Sequence, residues 1–165
     1  MAIRHETAKA LAEIRGCLTY DAATGELRWR RAAGNRAAGA RAGSANSGGY
    51  VLVRVNGREY CAHRVAWAMA HGEWPAADRV IDHANNNPGD NRLSNLRLAT
   101  QSENCANRSY RRRPWHGTHL HRSSGKYAAQ IKVNGLMRHL GLFESRTEAK
   151  AAYDAAAKRA FGDFS

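Results

Sequence analysis

Three polar residues in the middle of the chain are of the types needed to hydrolyse a phosphodiester. Asp82 and His83 end a short β-branched run, and Asn104 follows further along the chain. Carboxylate and amide oxygens suit a hard cation such as Mg²⁺, or Mn²⁺, because these ions keep several waters and complete their shell with substrate phosphate. The imidazole suits a general base, since its ordinary pKa lies near neutral pH. These residues predict metal-assisted hydrolysis.

The local pattern predicts elements that would bring the three residues together. We expect a strand, a loop, a second strand and a helix over residues 80–83, 84–94, 96–98 and from Thr100 onward. The loop is rich in Asn, Pro, Gly and Asp, which favour turns. Thr100 and Glu103 form a capping-box pattern, which places Asn104 on the first turns of the helix. If the unit folds back compactly, Asp82 and Asn104 face each other.

This stretch resembles the HNH endonucleases of the phage homing type, whose active site is a ββα-metal fold. The matching residues are Asp82-His83, the run from Asp90 to Arg97, Glu103-Asn104 and Asn107. The resemblance implies that His83 activates water and that Asp82 and Asn104 bind the metal ion. It also implies that Asn95 orients the loop and ring of His83. Asparagine replaces histidine at the third motif position, which favours an oxygen ligand and argues against zinc.

Neighbouring polar residues are expected to support the site. Asp90 and Asn107 are expected to hold the loop, and Arg97 is expected to contact a DNA phosphate. The stretch from His63 to Trp67 also resembles the HNH family just before its active strand, and we expect His63 to brace the site through a structural hydrogen bond. An isolated Asp-His pair or Asn-rich loop is usually ordinary surface, so the combination favours a nuclease more than any single piece.

The charge of the chain favours a polyanionic partner. Its 165 residues include 26 Lys and Arg against 14 Asp and Glu, a formal net charge of +12 and a pI near 10.4. This balance is typical of nucleic-acid binding, whereas a membrane surface is a poorer fit because the basic residues are not gathered on one amphipathic helix. Without a signal segment or a long apolar run, we expect a cytoplasmic protein, and the resemblance implies a phage or bacterial origin.

The cysteines argue further against zinc. Cys17, Cys61 and Cys105 are odd in number and far apart, and no Cys-x-x-Cys pair occurs. This spacing is atypical of a disulfide framework or of a zinc site. We therefore expect ordinary thiols and no zinc.

The N-terminal third, residues 1–49, has no strong family resemblance. Its pattern predicts a helix, a β-hairpin and an Arg-, Ala-, Gly- and Ser-rich loop over residues 6–15, 17–29 and 30–49. The loop has almost no large apolar residues, so we predict a mobile segment that either stays solvated or becomes ordered on DNA phosphates. The nuclease domain is predicted over residues 50–109, opening with a hairpin around Asn56-Gly57.

A separate DNA-binding domain is predicted over residues 116–165, after a basic linker at 110–115. Arg111, Arg112 and Arg113 of the linker are expected to contact the DNA backbone, because neighbouring cations repel one another unless an anion lies between them. The domain is predicted as three strands and a helix, over residues 118–122, 126–133, 136–143 and 145–161. The fold class is therefore α+β: a ββα-metal HNH nuclease domain followed by a small three-stranded antiparallel sheet packed on one helix.

The predicted sheet has an apolar and a basic face. Alternation puts on the helix side Tyr127, Ala129, Ile131, Val133, Leu136, Leu140 and Leu142. The domain resembles the APETALA2/ethylene-response-factor DNA-binding domain through residues 125–131, 139–143 and 148–154. That family lays its sheet in the major groove, which implies the DNA-facing residues His116, His119, His121, Lys126, Gln130, Lys132, Met137 and His139. Lysine reaches phosphate or guanine and glutamine pairs with adenine. The alternative is a merely solvated face.

Together these features predict a metal-dependent endonuclease that acts on duplex DNA. One active site predicts a nick in one strand per encounter, and the sequence does not indicate whether the protein is a monomer or a dimer. A DNA-binding regulator with a degenerate nuclease unit is the main alternative, and it predicts binding without magnesium-dependent cleavage. An RNA-binding protein is another, and it predicts no preference for duplex DNA.

Overall fold

The chain folds into two compact units, divided between Ala99 and Thr100. The computed structural model describes residues 6–112 and 114–164, with only the backbone described over 108–112. Both units combine helices with antiparallel sheets, which confirms the predicted α+β class. Within the described residues, each helix is too short or too polar to cross a membrane.

The described part of the first unit contains two α-helices and three small antiparallel sheets, with one turn of 3-10 helix at Leu93–Asn95. Its elements are α1 (Ala8–Cys17), β1 (Leu18–Tyr20), β2 (Leu27–Trp29), β3 (Ser44–Ala45), β4 (Val51–Val55), β5 (Arg58–Cys61), α2 (Ala62–His71), β6 (Val80–His83) and β7 (Leu96–Ala99). The strands pair as β1–β2, β3–β4–β5 and β6–β7. The positions agree closely with the helix and hairpins expected from the sequence.

The N-terminal third shares one core with the elements that follow it. Thr7 caps helix α1, because its hydroxyl accepts from the Ala10 amide at 3.1 Å. The buried residues of this core come from α1, β1, β2, β4, β5 and α2, and include Ile14, Leu18, Leu27, Val53 and Val65. The end of the predicted mobile segment belongs here too, because Ala42 is buried in the core and β3 pairs with β4. That part of the prediction was wrong: small residues suffice where the backbone itself pairs with a strand.

The Asn56-Gly57 turn forms the hairpin that the sequence indicates. Both residues have positive φ, 49° and 77°, which matches the right-handed twist of the paired strands. Helix α2 follows β5 directly and ends at Gly72. Its residue Ala66 packs against Ile81 of β6 and Leu96 of β7, so α2 supports the hairpin that carries the candidate site.

The second unit contains a three-stranded antiparallel sheet with β9 at its centre. Its elements are α3 (Gln101–Arg112), β8 (Thr118–His121), β9 (Lys126–Val133), β10 (Leu136–Phe143) and α4 (Arg146–Phe161). Ser145 caps α4, because its hydroxyl accepts from the Glu148 amide at 3.2 Å. Ile131 packs against Tyr153, Ala157 and Phe161 of α4. The predicted strands and helix are observed.

A β-bulge in β10 changes the predicted faces of the sheet. The register shifts between His139 and Gly141, after which Leu142 pairs with Ala128. Leu142 therefore shares the face of His139 and is 42% exposed, contrary to the expectation that it faces the helix. Strict alternation fails here because a bulge inserts one extra residue into the strand. Leu136 keeps the predicted side but is exposed at the hairpin end.

Helix α3 extends further than the sequence indicates. The predicted capping box is present, since the Thr100 amide donates to Glu103 Oε2 at 2.7 Å and the Glu103 amide donates to Thr100 Oγ1 at 3.2 Å. The backbone stays helical through Arg112. The first residues of the predicted linker at 110–115 are therefore helical, because arginine favours helices and no helix breaker occurs before Pro114.

Candidate active site

Asp82 and His83 lie at the end of β6 and are almost fully buried, with 4% and 6% exposure. The β6–β7 register pairs them with Arg97 and Leu96. Burial of a carboxylate and an imidazole is costly unless each finds a partner. Strand β7 and the loop that follows β6 supply those partners.

Arg97 binds the Asp82 carboxylate, with Nε 2.9 Å from Oδ2. The pair follows from the strand register, which sets the two residues opposite each other. The guanidinium keeps the carboxylate in one orientation and offsets its charge. Arg97 was expected to contact a DNA phosphate, and its partner in this structure is Asp82.

Asn95 closes the loop that follows His83. Its Oδ1 accepts from the Asn85 amide at 3.0 Å, and its Nδ2 donates to the Asp90 carbonyl at 2.8 Å. Its own carbonyl accepts from the Ala84 amide at 2.9 Å. One amide side chain thus ties both ends of the loop together, which is the loop-holding role expected from the sequence.

The ring of His83 is held by Asn91. Nε2 of His83 donates to Oδ1 of Asn91 at 3.1 Å, and Asn91 is only 4% exposed. An amide oxygen only accepts, so this bond places the ring proton on Nε2 and leaves the lone pair on Nδ1. The family resemblance implied that Asn95 orients both the loop and the ring; in the structure Asn95 binds the loop and Asn91 binds the ring. Asn91 lies inside the family motif, but a loop has no periodicity that would single out its side chain.

Two aromatic rings pack against the His83 imidazole. The centroids of the His63 and Tyr50 rings lie 5.2 Å and 6.0 Å from that of His83. The pKa of His63 is lowered to about 3, mainly by burial and also by its neighbours His83 and Arg64. His63 is therefore neutral at neutral pH.

His63 does not form the bracing hydrogen bond expected from the sequence. Its Nδ1 is buried and has no hydrogen-bond partner among the residues that the structure describes. The contact with His83 is an edge-to-face ring packing instead, with the planes at 75°. The prediction failed because residue type indicates hydrogen-bonding capacity but not where a helix aims the ring.

Asp90 holds the outer turn of the loop. Its carboxylate accepts from Arg92 Nε at 2.8 Å and from Asn85 Nδ2 at 2.8 Å. The hydrogen bonds from the Arg92 side chain, followed by those from its backbone and from Asn85, hold the pKa of the Asp90 carboxyl well below its usual range. This agrees with the structural role expected for Asp90. Asn107 is a buried residue of α3.

Asn104 lies on the first turn of α3, in the second unit. Its amide donates to the Thr100 carbonyl at 3.0 Å, and its side chain is half-buried. Across the described residues there is no cluster of three or more His, Cys, Asp or Glu side chains arranged around a metal position. The pairing of Asn104 with Asp82 in a metal site stays a prediction.

Most of the residues expected to contact DNA share one face of the sheet in the second unit. The register of β8, β9 and β10 puts on that face His119, His121, Lys126, Gln130, Lys132, Met137 and His139. Lys126 also forms an ion pair with Glu144 at 2.6 Å. His116 was expected to join them, but its ring packs edge to face on Tyr153 of α4, with centroids 5.2 Å apart. Of the linker arginines, Arg111 and Arg112 end α3 with side chains that are not described, and Arg113 lies outside the described residues.

Comparison with known proteins points to the same segment. Residues 60–106 match the family model described as HNH endonuclease, a range that contains Asp82, His83, Asn95 and Asn104. A similar solved structure is that of the HNH homing endonuclease I-HmuI, from work on DNA binding and cleavage. It is 20% identical, covers 89% of this chain and 80% of its own, and has a TM-score of 0.46. No curated protein sequence matches this chain.

Proposed function

We propose that this chain is a metal-dependent DNA endonuclease of the HNH homing or mobile type, with His83 as its general base. The proposal rests on the fixed, buried imidazole of His83 next to the buried carboxylate of Asp82, in a segment that matches the HNH endonuclease family model. The net charge of +12 supports a nucleic acid as substrate.

In the proposed mechanism, Nδ1 of His83 takes a proton from water. Asn91 holds Nε2–H and so keeps the lone pair on Nδ1. The water oxygen attacks phosphorus in line with the 3′ oxygen, which leaves as the new bond forms. His63, neutral because burial lowers its pKa to about 3, adds no repulsion when His83 becomes positively charged.

Asp82 and Asn104 are the proposed ligands of a divalent cation. The Asp82 carboxylate and the Asn104 amide both supply hard oxygen ligands. These donor types fit Mg²⁺, with Mn²⁺ as the alternative. The Arg97 guanidinium holds the Asp82 carboxylate in one orientation, which fixes the position of one proposed ligand. When bound, such a cation supplies charge stabilisation to the phosphate and to the leaving oxygen.

We further propose that the second unit binds duplex DNA through the basic face of its sheet, in the manner of the APETALA2-like domain. His119, Lys132 and His139 are exposed on that face, which supports direct contact. Arg97 and the arginines at 111–113 are proposed to contact phosphates. Lysine and arginine contacts of this kind supply affinity that falls as salt rises.

The first test is cleavage of supercoiled plasmid with Mg²⁺ or with EDTA. We expect conversion to open circle that requires the cation, disappears in His83→Ala and persists in His71→Ala. His71 is a matched control, because it is an exposed histidine on α2 of the same unit. Each active site cuts one strand, so open circle should precede linear product.

Three outcomes would change the proposal. Equal cleavage by His83→Ala and the parent would show that the base is another residue. Direct formation of linear product would replace nicking with a double-strand break. If the parent and both variants bind duplex DNA but none of them cleaves it, the DNA-binding regulator would be favoured.

A further inference from the structure

The turn between β1 and β2 docks onto the loop that follows β6. The Leu93 amide donates to the Ala22 carbonyl at 3.0 Å. Gly25 lies so close to the loop that a Cβ there would come within 2.4 Å of Arg92 N and 2.5 Å of Asn91 C. Because backbone meets backbone at this point, the N-terminal hairpin determines where the Asn91 segment lies.

Tyr20, the last residue of β1, adds a side-chain contact to the same segment. Its hydroxyl donates to the backbone carbonyl of Asn91 at 2.8 Å. The side chain of Asn91 in turn accepts from Nε2 of His83 at 3.1 Å. Asn91 is therefore held through its backbone while its side chain holds the imidazole.

The hairpin that presents Tyr20 is itself well braced. Asp21 Oδ1 accepts from the Ala23 amide at 2.9 Å, and the Asp21 carbonyl accepts from the Gly25 amide at 2.8 Å. The ring of Tyr20 packs against the cluster of Ala66, Ile81 and Leu96 that supports β6 and β7. The Tyr20 ring and the Asn91 carbonyl are therefore both fixed, which fixes the hydrogen bond between the Tyr20 hydroxyl and that carbonyl.

The Tyr20 hydroxyl keeps its proton over the whole physiological range. Burial raises its pKa to about 12, and the carboxylates of Asp21 and Asp90 contribute to the rise. A phenol in this state always donates to the Asn91 carbonyl.

We propose that Tyr20 is a positioning residue for His83 that acts through Asn91, which makes the N-terminal hairpin part of the nuclease site. The inference rests on the proposed function. By fixing the Asn91 backbone, Tyr20 fixes the direction from which Oδ1 meets the imidazole. Without the hydroxyl, the ring of His83 samples orientations in which Nδ1 no longer faces the attacking water.

The test compares Tyr20→Phe with Tyr60→Phe in the full chain. Both changes remove one hydroxyl from a tyrosine of the same unit, but Tyr60 stacks on Trp74 in the N-terminal core, with ring centroids 5.9 Å apart. The measurements are the single-turnover nicking rate at saturating plasmid, the plasmid Kd, the Tm and the ¹⁵N–¹H signals of the His83 imidazole. Tyr20→Phe should nick roughly fivefold to tenfold more slowly at unchanged Kd.

The imidazole signals distinguish positioning from a general loss of stability. In Tyr20→Phe the Nε2–H proton of His83 should exchange faster with water, whereas Tyr60→Phe should leave it as in the parent at a similar Tm. Equal nicking rates and equal ring signals in the two variants would overturn the inference and leave the proposed function standing. If the parent itself does not nick, the proposed function fails, and an unchanged ring signal in Tyr20→Phe overturns the positioning as well.

A double-mutant cycle tests the route through Asn91. If Tyr20 acts by way of Asn91, Tyr20→Phe should slow nicking by less than about twofold in an Asn91→Ala background. Fully additive losses in the double variant would show that Tyr20 acts on the rate by another route and would overturn the inference.

Discussion

The two units use polar residues in opposite ways. In the first unit the polar residues of the candidate site are buried and bonded, each less than 8% exposed: Asp82, His83, Asn91 and Asn95. In the second unit the proposed DNA contacts His119, Lys132 and His139 stand exposed on a strand face. A buried polar group is costly unless it is bonded, so burial selects one geometry. An exposed lysine or histidine can adjust to whatever it meets.

This difference suits two different tasks. A reacting group must be held within a fraction of an ångström, because small misplacements cost large factors in rate. A phosphate contact needs charge and reach, and each contact adds a modest share of the affinity. Single substitutions in the first unit should therefore have large effects on cleavage or folding, while those on the face of the second sheet should have small effects on binding.

Among the residues that hold His83 and its loop in place, the largest effect on cleavage is expected for Asn91→Ala. The change removes the acceptor of the His83 Nε2–H and frees the ring. We expect the single-turnover cleavage rate to fall on the order of 100-fold, with little change in DNA affinity. Asn35→Ala, at an exposed asparagine of the same unit, is the control and should match the parent. If the cleavage rate of Asn91→Ala stayed within twofold of the parent, buried polar residues of the first unit would not be more sensitive to substitution than exposed ones of the second.

Asn95→Ala should be the most destabilising of these changes. It removes the buried side chain that binds both the Asn85 amide and the Asp90 carbonyl and so closes the loop. We expect the free energy of unfolding to fall by about 2 kcal/mol, measured by urea denaturation. The control is Asn87→Ala, which removes an exposed side chain whose Oδ1 accepts from the Gly89 backbone N–H. It should change the free energy of unfolding by less than about 0.5 kcal/mol. Equal losses would show that burial of Asn95 is not what matters.

The buried His63 predicts how stability depends on pH. Its pKa is about 3 in the folded protein against an ordinary 6.5. Between these values the unfolded chain binds a proton that the folded chain does not, so stability is complete above pH 6.5 and falls as the pH is lowered. The loss should be on the order of 1 kcal/mol per pH unit, measured by urea denaturation from pH 7 to 4.

His63→Phe keeps a ring against His83 but cannot titrate, so its stability should depend less steeply on pH. The control is His71→Gln, which removes an exposed histidine from the same helix and should keep the steep slope of the parent. The slope is the readout, because a change in absolute stability alone would reflect packing. Identical slopes for His63→Phe and the parent would contradict a neutral, buried His63.

Periodic and turn patterns predicted most of the elements but few of the contacts. The capping box at Thr100, the Asn56-Gly57 turn and the strands of the second unit follow from local preferences, which the chain obeys wherever packing does not oppose them. The bulge before Gly141 was missed, although an isolated glycine inside a strand is a local signal of a bulge. The bulge moves Leu142 from the face that packs on α4 to the face that carries His139, and so changes the surface proposed to contact DNA.

The N-terminal hairpin shows more clearly that local sequence patterns do not indicate tertiary contacts. Its strands were predicted, but its contact with the Asn91 segment joins residues 71 positions apart, and no local pattern indicates such a pairing. The same holds for the burial of Ala42 and the pairing of β3, which depend on the shape of the core they meet. The motif predicts which residues react, whereas the tertiary fold determines what holds them.

The smallest effect is expected for Lys132→Ala on the second sheet. Loss of one exposed cation should weaken duplex binding severalfold and reduce the dependence of log Kd on log salt by roughly one, while cleavage at saturating DNA stays unchanged. Lys158→Ala removes an exposed lysine from α4 and is the matched control, which should bind as the parent does. Equal weakening by both variants would mean that the unit attracts DNA by overall charge. A selective loss in Lys132→Ala would support the sheet as the surface that the duplex contacts, and unchanged cleavage would show that docking and chemistry are separable.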